Sequence, residues 1–107
     1  SIYFSSDRTG VMQIWRMKPD GTQQEQVTSD TFSNWAPRIA PDGRRIAVLS
    51  TGKTADQEVL LRVLTLSDKR VQSVVRLRGG GPGALDAPSW SPDSRRLAFV
   101  SHHLVIE

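Results

Sequence analysis

Two stretches of eleven residues share one pattern, and this repeat constrains the fold more than any other feature of the chain. The segments APDGRRIAVLS (40–50) and SPDSRRLAFVS (91–101) both combine a Pro-Asp corner with an Arg-Arg pair, and they lie 51 positions apart. Apolar residues alternate after each corner, which is typical of a strand with a buried face. The chain is therefore predicted to repeat one β unit that needs neighbours to cover its apolar faces.

Alternating segments separated by turn residues run along the whole chain and predict an all-β fold. Asp-Arg-Thr-Gly at 7–10 and Lys-Pro-Asp-Gly at 18–21 favour tight reversals, as does the Pro-Asp-Gly corner at 41–43. Nine strands are predicted, at 2–6, 12–17, 24–28, 36–40, 46–50, 58–66, 70–77, 87–91 and 97–101. Ser94 stands where the first copy has Gly43, so this corner position is expected not to require a left-handed backbone.

The spacing of the repeats predicts the blades of a β-propeller. Ile2, Ile46 and Leu97 occupy equivalent positions, separated by 44 and then 51 residues. Four short strands per cycle match one blade, which is a four-stranded antiparallel sheet. The extra length of the second cycle is assigned to loops at 51–57 and 79–83. The prediction is about two blades of a larger ring, with a partial blade at 1–35, a full blade at 36–78, and a loop and the start of a closing blade at 79–107.

Composition argues against several classes of function. The net charge is +3, but the Arg pairs at 44–45 and 95–96 lie beside acids, and no basic run alternates with aromatic residues, so no nucleic-acid partner is expected. There is no cysteine, which excludes disulfides and thiolate chemistry. No apolar run approaches the roughly 18 residues of a membrane helix, so no membrane span is predicted.

The sequence carries no recognisable catalytic, metal or cofactor motif. His102 and His103 would point to opposite faces of a strand, so they cannot both bind one metal from a single face. The serines lack a Gly-x-Ser-x-Gly elbow, and the glycines at 79–83 lack the Lys of a phosphate loop. Turn capping accounts for four aspartates without a calcium site: Asp7, Asp20, Asp42 and Asp93. No catalytic residue, metal or cofactor is therefore predicted.

Asn34, Trp35 and Arg38 are the candidate binding residues. They lie at or next to the predicted first, innermost strand of the full blade, near the channel rim where propellers usually bind partners. An exposed Trp35 there would anchor a peptide or a sugar, and packing between blades is its alternative role. Trp15 is interpreted as inter-blade packing, and Trp90, which aligns with Ile39, as a core residue.

The repeat motifs resemble those of a known family. IYFSSDRTGVMQIWRMKPDGTQQEQVT followed by NWAPRIAPDGRRIAVLS resembles the propeller repeats of TolB-like proteins, the WD-like class associated with the Tol biopolymer transport system. The matching parts are the Ser-Asp-Arg-x-Gly turn at 6–10, the corner at 41–43 and the strand at 46–50. The chain departs from the pattern at Ala40, where the family prefers Ser, and at 51–53, which lack the Asp-Arg turn.

The resemblance implies a C-terminal segment of a TolB-like propeller, acting as a non-catalytic protein-interaction module in the periplasm or cell envelope. A cytoplasmic location is the alternative. The expected partners are another protein, and either the rest of the propeller or further copies of the chain through unpaired strand edges. The alternative function is the propeller of an enzyme, either a gate on a serine peptidase or the ring of an oligosaccharide lyase.

Overall fold

The computed structural model describes residues 1–52, 59–77 and 87–100, and these ranges contain nine strands and no helix. The strands are β1 (Ile2–Ser6), β2 (Gln13–Met17), β3 (Glu25–Gln26), β4 (Ser33–Ile39), β5 (Arg45–Thr51), β6 (Val59–Thr65), β7 (Val71–Leu77), β8 (Ser89–Trp90) and β9 (Leu97–Ala98). The predicted all-β class and the order of the nine predicted strands are confirmed. In the described ranges no helix is long and apolar enough to cross a membrane.

The strands form three antiparallel sheets in sequence order. The first sheet is β1-β2-β3, the central sheet is β4-β5-β6-β7, and the third sheet is β8-β9. In the middle of the central sheet, β5 pairs with β6 without interruption from Arg45↔Thr65 to Thr51↔Val59. The central sheet thus has the four strands predicted for one blade. The division of the chain at residues 35 and 78 stays a prediction.

The central sheet buries both of its faces, one against each neighbouring sheet. Alternation along β5 directs Ile46 and Val48 towards the first sheet, where they pack with Ile14 and Val27. Ala47 and Leu49 point the other way, and together with Val59 and Leu61 they form a second cluster against which Trp90 and Leu97 of the third sheet pack. This arrangement confirms that the face bearing Ile46 and Val48 is covered by a neighbouring sheet.

Several strands differ from their predicted bounds, and some predictions lie outside the described ranges. β4 begins at Ser33, three residues before the predicted start at Ala36. β9 ends at Ala98, short of the predicted end at residue 101, and Phe99 is 41% exposed. The predicted loop insertions fall largely in 53–58 and 78–86, and His102 and His103 fall in 101–107, so these predictions lie outside the described residues.

The expectation for the corner residues was wrong, because Ser94 and Gly43 both have left-handed backbones. Their φ angles are 64° for Ser94 and 73° for Gly43. Ser94 is 3% exposed, and its hydroxyl accepts a hydrogen bond from the Asp42 N–H at 3.0 Å. Its carbonyl oxygen accepts another from Nη2 of Arg45. These contacts tie the two repeated corners together and offset the backbone strain of a non-glycine residue at this angle.

Two substitutions at Ser94 distinguish the contribution of its hydrogen bond to stability from the cost of its left-handed backbone. Ser94→Ala removes the hydroxyl acceptor and keeps the positive φ, so we expect the free energy of unfolding to fall by about 1–2 kcal/mol. Ser94→Gly loses the same hydrogen bond but relaxes the backbone, so we expect it to cost less than the alanine variant. Urea denaturation of both variants measures the difference. Equal losses would show that the left-handed backbone carries no cost here.

Candidate functional site

β4 carries the three predicted binding residues, and a bulge interrupts it between them. Trp35 pairs with Leu49 and Arg38 pairs with Ala47, so two residues of β4 lie opposite one residue of β5. Ala36 in this bulge has a φ of 54°, an uncommon backbone conformation for a residue with a side chain. Such strain costs about 1–3 kcal/mol and is frequent at binding sites. The bulge changes the direction in which the following side chains project.

Asn34 lies in the interior and its side-chain amide is fully engaged. It is 0% exposed. Its Nδ2 donates to Oε1 of Gln13 at 3.0 Å and to Oδ1 of Asp30 at 2.9 Å. Its Oδ1 accepts from Oγ of Ser50 at 2.6 Å. Asn34 therefore fixes the start of β4 and presents no side-chain atom to solvent, so a contribution to binding would act through the placement of Trp35.

Arg62 is the centre of this polar cluster, and the sequence analysis did not identify it. Its Nε donates to Ser50 Oγ at 2.9 Å, and its Nη2 donates to Asn34 Oδ1 at 2.7 Å and to Asp30 Oδ2 at 2.6 Å. Its guanidinium also lies 4.4 Å from the centroid of the Phe32 ring. A lone Arg within the apolar run VLLRVLT was the available signal, because a buried charge requires a partner.

The polar cluster joins the first sheet to the central sheet at the start of β2 and β4. Thr28 Oγ1 donates to Oε1 of Gln13 at 2.6 Å, and Nε2 of Gln13 donates to the Asp30 carbonyl at 2.8 Å. The Asn34 N–H donates to the Met12 carbonyl at 2.8 Å. The cluster is a structural connection between two sheets, and its polar groups hydrogen-bond one another, although 33% of the Asp30 side chain is exposed.

Trp35 packs between the central and third sheets. It is half-buried against the apolar cluster of Ala47, Leu49, Val59 and Leu61. Trp90 packs against the same cluster from β8, but it is only partly buried and lines two grooves, so its interpretation as a core residue is only partly confirmed. The contacts of Trp35 are those of the packing alternative, and its binding role stays a prediction.

Arg38 is exposed and lines a groove between β4 and β8. Its Nη1 donates to the Pro37 carbonyl at 3.0 Å, and its own carbonyl accepts from Nε1 of Trp90 at 2.8 Å. The groove has a volume of about 440 Å³, and its walls are Arg38, Ile39, Pro41, Ala87, Pro88, Ser89 and Trp90. It combines one exposed guanidinium with mostly apolar walls, which suits an extended segment carrying a carboxylate.

Trp15 lies on the face of β2 that points away from the central sheet. Because side chains alternate along a strand, Trp15 points to the face opposite to that of Ile14, which belongs to the core between the first and central sheets. The Arg8 guanidinium covers its ring at 4.4 Å from the centroid. Its buried Nε1 makes no hydrogen bond within the described ranges. Packing of Trp15 against a preceding blade stays a prediction.

The aspartates of the turns act as caps, as predicted for Asp20, Asp42 and Asp93. Each accepts a hydrogen bond from the backbone N–H two residues on, at 2.9–3.0 Å. Hydrogen bonds from the Ser91 hydroxyl and the Arg95 N–H lower the pKa of Asp93, and those from Thr22 lower the pKa of Asp20. Among the described residues, no group of three or more His, Cys, Asp or Glu side chains is arranged to hold a metal ion.

The comparisons with known proteins agree on the fold. No family model matches the sequence. The chain is 33% identical over 106 residues to the uncharacterized protein Atu1656 of Agrobacterium fabrum, a match that covers 94% of this chain and 36% of that protein. It is 30% identical to the solved structure of "putative TolB from Agrobacterium tumefaciens", with a TM-score of 0.78 over 96% of this chain and 39% of that one. The fold is TolB-like.

The chain spans little more than a third of the length of each of these two proteins. The all-β architecture of antiparallel sheets of three and four strands is therefore similar to that of a fragment of a TolB propeller.

Proposed function

We propose that this chain is a non-catalytic propeller module that binds a protein partner in the groove between β4 and β8. One observation supports this most: the exposed guanidinium of Arg38 stands beside the apolar walls of that groove, next to the strained bulge of β4. The groove lies between the first strands of two successive sheets. Its shape and charge suit an extended peptide with an apolar residue against Trp90 and a carboxylate at Arg38.

The TolB-like fold supports a proposal for the location and the remaining partners. We propose that the parent protein works in the periplasm or cell envelope, since the similar solved structure is described as a "putative TolB". Further blades of the same protein, or other copies of the chain, would cover the outer faces of the first and third sheets. We propose neither a nucleic-acid partner nor a cofactor.

Site-specific photocrosslinking in cells that make the whole protein tests the binding role. A photoreactive amino acid at Ile39, which is 41% exposed and lines the groove, should give a discrete protein adduct. The Arg38→Ala variant should reduce that adduct several-fold, because the guanidinium that pairs with the partner is gone. Thr9, an exposed turn residue far from the groove in sequence, is the control position and should give no adduct.

Two results would contradict the proposal. Adducts of equal yield at Ile39 and Thr9, or an Ile39 adduct unaffected by Arg38→Ala, would show that the groove does not select a partner. Turnover of peptides or oligosaccharides by the whole protein would favour the alternative, in which the propeller serves an enzyme. Mass spectrometry of the adducts and an activity assay on the same preparation distinguish these cases.

A further inference from the structure

A second groove, between strands β5, β6 and β7 of the central sheet and the third sheet, is lined by three arginines. They are Arg45, Arg70 and Arg95, and the groove has a volume of about 190 Å³. Val63 and Trp90 contribute apolar surface to it. None of the described residues that line it is acidic. Three positively charged side chains therefore line a small, partly apolar groove whose lining contains no carboxylate.

Arg45 is held in place in this groove. Its Nη2 donates to the Ser94 carbonyl, and its guanidinium lies 4.9 Å from the centroid of the Trp90 ring. Among the described residues it makes no ion pair, although it also lines the neighbouring groove that contains Asp42. An arginine ordered by stacking and by one hydrogen bond retains further N–H donors for a ligand at little entropic cost.

The other two arginines are exposed and weakly engaged. Arg70 lies 3.8 Å from Asp68, with 80% of its side chain exposed, and a pair of this kind contributes little. The Asp93 carboxylate, the acid nearest Arg95 in sequence, instead accepts hydrogen bonds from the Ser91 hydroxyl and the Arg95 backbone N–H. Both side chains can therefore turn towards an anion in the groove.

The equivalent groove between the first and central sheets differs in its charge. It is lined by Arg44, which corresponds to Arg95 one repeat earlier, but also by the carboxylate-bearing Asp42. Its Arg16 pairs with Glu25 at 2.8 Å. This groove, of about 850 Å³, is open although the central sheet has all four strands. A completed neighbouring sheet therefore need not fill the space, and of these two equivalent grooves the second has no acidic residue in its lining.

We propose that the groove of Arg45, Arg70 and Arg95 binds an oxyanion, either a carboxylate or a phosphate, on a small ligand whose apolar part lies against Trp90. Guanidinium groups bind both anions through paired, charge-assisted hydrogen bonds. The site shares Trp90 with the groove lined by Arg38, but none of its three arginines lines that groove, and the proposal does not depend on the proposed protein partner.

Isothermal titration calorimetry at low ionic strength tests this with two probes. Sodium phosphate represents a phosphate ligand, and an acetylated, amidated tripeptide of aspartate, leucine and aspartate represents a carboxylate ligand. At least one probe should bind with one-to-one stoichiometry. Arg70→Gln combined with Arg95→Gln should weaken that binding at least about ten-fold. Both residues are exposed, so the fold should be retained, and circular dichroism checks this.

Arg96→Gln is the matched control, because Arg96 is equally exposed, adjacent to Arg95 and absent from the lining of the groove. It should change the affinity less than about two-fold. Binding of phosphate alone assigns the site to phosphate ligands, and binding of the tripeptide alone assigns it to carboxylates. The proposal is wrong if neither probe binds, if the double variant binds like the wild type, or if Arg96→Gln weakens binding as much as the double variant does.

Discussion

Replacing Arg62 with alanine is expected to lower the free energy of unfolding by about 3–5 kcal/mol. The change removes the group that Ser50, Asn34 and Asp30 share, and it leaves their oxygen atoms without this cationic donor. Arg62 is 7% exposed, so water cannot readily replace it without rearrangement of the sheets. Urea denaturation followed by circular dichroism measures the loss.

Two further variants show whether the loss comes from the polar cluster. Arg44→Ala removes an exposed arginine one position from the start of β5 and should change stability by less than about 0.5 kcal/mol. Asp30→Asn combined with Arg62→Ala should cost less than the sum of the two single changes, because both act on one ion pair of 2.6 Å. Strict additivity would mean that this pair does not hold the sheets together.

Replacing Leu61 with alanine is expected to cost about 2–5 kcal/mol of unfolding free energy. Leu61 is 0% exposed and belongs to the cluster that the central sheet shares with the third sheet. Truncation leaves a cavity beside Leu49 and Val59, and the packing of Trp35 and Trp90 against that cluster should loosen. A red shift of tryptophan fluorescence should accompany the lower stability.

Val74→Ala is the control for the loss at Leu61. Val74 lies in β7 of the same sheet but is 51% exposed, so its truncation removes little buried surface. Its expected effect is within about 0.5 kcal/mol of zero. If Leu61→Ala were equally mild, the third sheet would not pack on the central sheet as the structure describes.

Strand alternation and turn residues were sufficient to predict most of the fold. β5 and β6 are apolar on both faces, and the repeat correctly indicated that each face needs a covering sheet. The start of β4 was missed because Ser33 and Asn34 are polar. Their environment is a buried cluster formed by other strands, which local sequence does not reveal.

The site was less predictable than the fold, because its contacts join residues far apart in the sequence. Arg62 and Asp30 are separated by 32 positions in the sequence. Trp90 Nε1 donates to the carbonyl of Arg38, which lies 52 positions earlier. The left-handed backbone at Ser94 was missed for a related reason. Serine is uncommon at such an angle, and the stabilising partners, Asp42 and Arg45, come from the previous repeat.

Both outer strands of the central sheet are interrupted by bulges, and this limits how molecules can add to one another. In β4 the regular pairing breaks between Trp35 and Arg38, and Pro37 has no N–H to offer. In β7 Val74 is the extra residue between Ser73 and Val75. Each edge therefore presents only short regular runs, too short to template a continuous intermolecular ladder of the kind that grows into fibres.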